Sequence, residues 1–187
     1  MAVKALLLTG PSGSGKTTIA HLLLQEYPQF VFSISATTRP PRPNEVPGKD
    51  YYFLTEAEFD QELEQGGFVE WERLYSGYRY GTLHRELERI RASGRIPLFV
   101  KDVKGTLALQ KKLEEGAVSV FVLPPSIEVL RERLLARAPE PPPDLEERLA
   151  RAAFEIQLAP EFSFLLYNDE LDKALRRLRP LIERHFS

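Results

Sequence analysis

The residues Gly10-Pro11-Ser12-Gly13-Ser14-Gly15-Lys16-Thr17 satisfy the pattern GxxxxGK(S/T), set between an apolar run and a helical pattern that ends at Pro28. The glycines let backbone N–H groups turn inward onto phosphate oxygens, and the helix N-terminus adds positive dipole. Lys16 can reach the β and γ phosphates of a nucleoside triphosphate and Thr17 can ligate Mg2+; Thr18 is grouped with them at the ATP site. A second constellation, Ser35, Arg39, Arg42 and Tyr51, follows. Pro40-Pro41 keeps its two arginines on extended chain, so both guanidinium groups can converge on a dianionic phosphate with hydroxyls supplementing them. A third lies in Phe68-Val69-Glu70-Trp71-Glu72, where strand alternation sends Glu70 and Trp71 to opposite faces. A carboxylate at Glu70 can accept from the adjacent N1–H and N2–H2 donors of guanine, a pair adenine does not offer. Tyr80 and Thr82 can add a phosphate hydrogen bond and a base contact.

The elements that must hold these groups follow from length and pattern. At 187 residues, with 43 % hydrophobic and 28 % charged residues, the chain fits one globular domain with small insertions. The formal charge of -2 supplies no general attraction to nucleic acid or to an anionic membrane, so an anion must be bound by local basic groups. The absence of cysteine excludes disulfides, thiol catalysis and the usual structural zinc sites, and a cytoplasmic location is expected. The apolar start from Ala5 to Leu8 is too short to span a bilayer.

Ala5 to Thr9, Phe30 to Ile34, Ile96 to Val100, Val118 to Leu123 and Phe164 to Tyr167 read as strands buried on both faces. The spacings Leu83, Leu87, Ile90 and Leu171, Leu175, Leu178, Ile182 predict covering helices, the second kinked at Pro180 with a solvated basic face of Lys173, Arg176, Arg177 and Arg179. The expected fold class is α/β, a parallel sheet flanked by helices. Two stretches interrupt it. Residues 35-82 read as a small antiparallel α/β insertion with a capping box from Thr55 to Glu58, and residues 126-158 as two helices separated by a proline cluster. The core is then residues 1-34, 83-125 and 159-187. His21, His84 and His185 lack ligand spacing and read as bystanders.

Taken in order, Ser35-Ala36-Thr37-Thr38-Arg39-Pro40-Pro41-Arg42, Gly48-Lys49-Asp50-Tyr51-Tyr52-Phe53, Phe68-Val69-Glu70-Trp71 and Tyr80-Gly81-Thr82 resemble the nucleoside-monophosphate module of the guanylate kinase family. The resemblance covers nearly the whole chain. It implies a P-loop NTPase fold with a GMP-binding insertion and a helical lid, and Mg2+-dependent phosphoryl transfer from ATP to GMP or dGMP. By matching position it implies that Ser35, Arg39, Arg42, Tyr51 and Tyr80 hold the GMP phosphate. It assigns Glu70, Thr82 and Asp102 to guanine, with Asp102 also near the metal. Arg133, Arg137 and Arg148 would gather round the transferring phosphoryl group, and Asn168 would join the ATP site. ATP and GMP are the implied partners, with no nucleic acid and no membrane, and with the chain a monomer or homodimer.

The sequence also departs from the family pattern. Two carboxylates and a glutamine before glycine are usual after the third core strand, whereas here the run is Val100-Lys101-Asp102-Val103-Lys104-Gly105. Lys101 and Lys104 are expected to add positive charge to a site already rich in it. The segment Ala138-Pro139-Glu140-Pro141-Pro142-Pro143-Asp144 replaces the usual glycine, threonine and acids. One extra residue between Trp71 and Tyr80 requires a bulged turn. Two other readings stay open: a kinase of the same fold acting on a ribose bisphosphate, and a catalytically weak guanylate-kinase-like binding module.

Overall fold

The computed structural model describes residues 4–74, 76–113, 116–136 and 142–186. Five strands, β1 (Ala5–Thr9), β2 (Phe30–Phe32), β7 (Ile96–Val100), β8 (Ala117–Leu123) and β9 (Phe164–Tyr167), form a wholly parallel sheet in the order β2-β7-β1-β8-β9. β1 lies at its centre and is fully buried. Alternation divides it between two cores. Leu6 and Leu8 join Ile19, Leu23, Phe30, Leu175 and Leu178 under α1 (Lys16–Glu26) and α7 (Leu171–Phe186). Ala5 and Leu7 join Phe99, Leu109 and Leu113 under α4 (Val103–Leu113).

Strand order reverses beside β1, whose neighbours β7 and β8 lead to opposite edges. In a doubly wound sheet the crevice at the carboxyl ends of such strands is where ligands bind. The glycine-rich loop leaves β1 at that point and runs into α1.

The second sheet is built from β3 (Ser35–Thr37), β4 (Tyr51–Phe53), β5 (Phe68–Arg73) and β6 (Arg79–Leu83), in the order β4-β3-β6-β5, with α2 (Glu56–Glu64) beside it. The expected antiparallel sheet is in fact mixed, because β3 and β4 run parallel. The chain between them crosses back through the Pro40-Pro41 loop instead of turning as a hairpin. The capping box forms as expected: the Thr55 hydroxyl accepts from the Glu58 N–H, and the Glu58 carboxylate accepts from the Thr55 N–H.

Two further expectations are corrected. Leu83, grouped by spacing with Leu87 and Ile90, is the last residue of β6, and α3 begins only at His84 (His84–Ala92). β9 is not buried on both faces: it is an edge strand, with Leu165 48 % and Tyr167 57 % exposed. The β5–β6 pair also carries a register shift between Phe68 and Glu70, inside the strand; the bulged turn expected before Tyr80 includes residue 75, which lies outside the described residues. α7 continues through Pro180 to Phe186, and its basic face is exposed and ion-paired, with Arg177 on Asp169 and Arg179 on Glu26.

The two helices α5 (Ile127–Leu135) and α6 (Leu145–Gln157) carry a small core of their own, Leu130, Leu134, Leu149 and Ala152. That cluster is distinct from the cores of the main sheet.

One buried acid joins the two sheets. Glu86, on the first turn of α3, has no solvent exposure. It accepts from the Ile34 N–H at 2.8 Å and from the Tyr52 hydroxyl at 2.8 Å, and it pairs with Arg89. Ile34 lies at the passage from β2 to β3, so Glu86 clips the large sheet to the small one. Glu86→Ala leaves an amide and a phenol without their acceptor and is expected to cost about 2 to 3 kcal/mol, read from urea unfolding.

Candidate active site

The glycine-rich loop is a cradle of left-handed backbone: Gly10, Gly13 and Gly15 have φ of 134°, 87° and 99°. Side chains rarely adopt these angles. Gly13 also serves close approach, because a Cβ there would stand 3.0 Å from Leu130 and 3.2 Å from Leu134 of α5. Helix α5 thus rests on the loop itself. Lys16 lies across the cradle, its ammonium donating to the carbonyls of Gly10 at 2.6 Å and Pro11 at 2.8 Å. Asn168, 5 % exposed, donates to the Ser14 carbonyl at 2.7 Å and so ties the end of β9 to the loop. Arg133 of α5 donates to the Asn168 carbonyl at 3.0 Å. The Ser14 hydroxyl is buried and lacks a protein partner among the described residues.

Beyond Lys16 a cavity of about 260 Å3 opens between the two sheets. Lys16, Thr17, Ser35, Tyr51, Glu70, Tyr80, Lys101 and Asp102 all face it. Residues from both sheets and from the P-loop therefore share one space.

Glu70 sits on β5 directly opposite Thr82 on β6 and is 7 % exposed. Its Oε1 accepts from the Thr82 hydroxyl at 2.7 Å and meets the Lys101 ammonium at 2.8 Å. Thr82 is fully buried and does not line the cavity; in this structure it orients Glu70. Trp71, next in the strand, is 41 % exposed, as alternation requires.

Asp102 follows β7, and its Oδ1 accepts from the Gly105 N–H at 3.0 Å, which caps α4. Burial pushes its carboxyl above the usual range, while the Gly105 N–H and the Lys101 charge oppose that rise. Gly105 again marks close approach: a Cβ there would lie 2.8 Å from that same oxygen.

The positive charge expected from Lys101 and Lys104 is present and has acids beside it. Lys101 forms a buried pair with Glu70, and Lys104 stands 4.0 Å from Glu72.

The expected phosphate clamp is only partly assembled. Arg39 donates to the Tyr80 hydroxyl at 3.1 Å and lies over the Tyr51 ring, 5.2 Å from its centroid. Its fork is occupied by Glu45, with bonds of 2.8 and 2.9 Å. That bidentate pair holds Arg39 well above its ordinary pKa and Glu45 below its own. Arg42 is exposed and does not reach the cavity. Arg148, on α6, pairs with Asp144 at 2.9 Å and also stays outside the cavity. Arg137 and the proline-rich run as far as Pro141 lie outside the described residues.

Two acids here escaped the sequence reading. Glu45 follows Arg42 in a loop with no periodicity to mark it. Glu155, on α6, is raised above the ordinary carboxylate range by burial, and the charges of Arg151 and Lys16 oppose the rise. Its position seven residues after Arg148, on the same helical face, was the available signal.

No group of three His, Asp or Glu residues poised for a metal exists among the described residues. The carboxylates facing the cavity are those of Glu70, Glu72 and Asp102; Glu70 is taken by Lys101 and Thr82 and Glu72 stands beside Lys104, which leaves Asp102, with the Thr17 hydroxyl, as the donors suited to a hard cation. Such a sparse set suits Mg2+, which keeps several waters and takes most other ligands from phosphates. None of the three histidines lines the cavity.

The guanylate kinase family model matches residues 2–185. Curated guanylate kinases from Chlorobium chlorochromatii and a Synechocystis species are 45 % and 44 % identical; the matches cover 92 % and 95 % of this chain and 90 % and 92 % of theirs. The crystal structure of guanylate kinase from Anaplasma phagocytophilum superposes with a TM-score of 0.78 at 31 % identity, covering all of this chain and 88 % of that one. A P-loop at the switch point of a parallel sheet, facing a buried carboxylate across one cavity, is thus found in a chain that belongs to the guanylate kinase family.

Proposed function

We infer that the protein is an ATP:GMP phosphotransferase, moving the γ-phosphoryl group of ATP to GMP or dGMP and yielding ADP and GDP. The observation that carries this reading is the single cavity that joins Lys16 and Thr17 of the P-loop to Glu70 and Asp102. It supports a reading in which the P-loop as triphosphate cradle and Glu70 as reader of guanine share one cavity. A ribose bisphosphate needs no buried carboxylate at Glu70, and a silent binding module needs no intact P-loop.

Phosphoryl transfer asks the protein mainly to position two anions and offset their repulsion. In this reading the P-loop N–H groups and Lys16 hold the ATP phosphates, and Thr18 and Asn168 complete that site. Ser35, Arg39, Arg42, Tyr51 and Tyr80 hold the GMP phosphate, for which Arg39 exchanges at least part of its bond to Glu45. Arg133, Arg137 and Arg148 neutralise the oxygens of the group in transit. The Thr17 hydroxyl and the Asp102 carboxylate would hold Mg2+, which when bound supplies charge neutralisation to the β and γ phosphates. A GMP phosphate oxygen is itself anionic at neutral pH, so no covalent nucleophile is required. A coupled ADP-release assay with ATP, with and without a chelator, against GMP, dGMP, AMP, CMP, UMP and ribose bisphosphate tests the reading. Chelator-sensitive turnover confined to GMP and dGMP supports it, and preference for any other acceptor overturns it.

Residues 35-82 and 126-158 then act as the GMP-binding piece and the lid on the core. Arg42 and Arg148 stand outside the cavity, so both pieces must move inward for them to reach substrate. With an ATP analogue and GMP together, small-angle scattering should show a smaller radius of gyration than for the free protein. An unchanged profile at saturation would remove the closure step.

A further inference from the structure

β7 ends at Val100, and the next residue, Lys101, sends its four-carbon stem into the gap between the two sheets. Its side chain is 7 % exposed. The ammonium lies 2.8 Å from Glu70 Oε1 and 3.4 Å from the Ser35 hydroxyl, and it faces the cavity. An ammonium carries three N–H donors. Among the described residues Lys101 finds two oxygens for them, one at the limit of a hydrogen bond, so donor capacity is left over beside Glu70.

We propose that Lys101 is a specificity-determining residue that reads the O6 acceptor of guanine, working as one unit with Glu70. The inference rests on the guanylate kinase reading and extends it. The edge of guanine presents N2–H2, N1–H and O6 side by side, two donors followed by an acceptor. Glu70 supplies acceptors for the first two. The group that meets O6 must be a donor standing next to that carboxylate; the Thr82 hydroxyl is spent on Glu70 and does not line the cavity, whereas the Lys101 ammonium faces it. Adenine is rejected twice: its unprotonated N1 faces the carboxylate, and its 6-amino group faces the ammonium. Lys101 also gives Glu70 a counter-charge in a cavity where an unpaired carboxylate would be costly.

Kinetics of Lys101→Met with GMP, IMP and AMP separate reading from mere charge balance. IMP retains O6 and N1–H but lacks the 2-amino group. If Lys101 donates to O6, kcat/KM for GMP and for IMP falls by the same factor, about tenfold to a hundredfold and mostly in KM, while AMP is unchanged or improves. If Lys101 serves only as the counter-charge of Glu70, its removal bares the carboxylate and GMP binds as well as before or more tightly; that result overturns the proposal.

Lys101→Met leaves Glu70 buried without its partner and is open to misfolding, so the Glu70→Gln/Lys101→Met double variant, with neither charge, is compared with Glu70→Gln alone. A further loss of GMP affinity in the double variant supports O6 reading, and equal or better affinity overturns it. Absence of GMP turnover in the unaltered enzyme would instead remove the guanylate kinase reading itself.

Discussion

Lys16→Ala is expected to lower turnover by roughly a hundredfold to a thousandfold, the loss typical when one preorganised group that stabilises transition-state charge is removed. Lys16 lies over the P-loop with its ammonium on the carbonyls of Gly10 and Pro11. Those contacts hold the charge in place before substrate arrives, so little reorganisation is left for the reaction. The ammonium bonds the loop and not the apolar core, and the sheet beneath is secured by β1. Circular dichroism and melting temperature should therefore change little. Lys16→Arg keeps the charge but spreads it over a planar fork, and is expected to recover only part of the rate. Near-normal turnover in Lys16→Ala would mean that the phosphate cradle is not the catalytic site.

Glu70→Gln should weaken GMP binding by roughly 2 to 4 kcal/mol, about thirtyfold to several hundredfold in Kd. The substitution replaces one acceptor oxygen by an N–H2 donor in a cavity where Glu70 is 7 % exposed and water cannot readily take its place. It also deprives Lys101 of its partner at 2.8 Å, so part of the loss comes from an ammonium left without its counter-charge. AMP makes no N1–H or N2–H2 bond to this group and should lose much less. Isothermal titration of both nucleotides reads the difference directly. Equal GMP affinity in the two proteins would make Glu70 a structural acid and reopen the ribose-bisphosphate reading.

These two residues differ in how openly the sequence declares them. Lys16 belongs to a contiguous motif whose conformation is local: glycines at left-handed angles, a preceding strand and a following helix are all neighbours in the chain. Glu70 is marked only by strand alternation, which says that it and Trp71 face opposite ways and not which face is the pocket. The resemblance to a family supplied the rest, and packing of β5 against α4 gives the answer a physical basis.

The correction at Leu83 has a similar origin. Its spacing to Leu87 and Ile90 fits a helix, yet pairing with Phe68 across the small sheet keeps it extended. The exposure of β9 likewise reflects its place at the sheet edge, since an apolar run does not say how many neighbours it will have.

By itself the sequence determined the α/β alternation, the phosphate cradle and the Thr55 capping box, because each depends on residues a few positions apart. It also placed the arginines, but not their partners: Arg39 is engaged by Glu45 and Arg148 by Asp144. Only the tertiary structure decided the meaning of Lys101, which read as surplus positive charge and is in fact the buried partner of Glu70. Glu86 likewise bonds Ile34, far away in sequence, and its role as the clip between sheets is invisible along the chain. The physical reason is the same in both cases: a buried charge is stable only where folding delivers its partner, and that partner comes from another strand or helix.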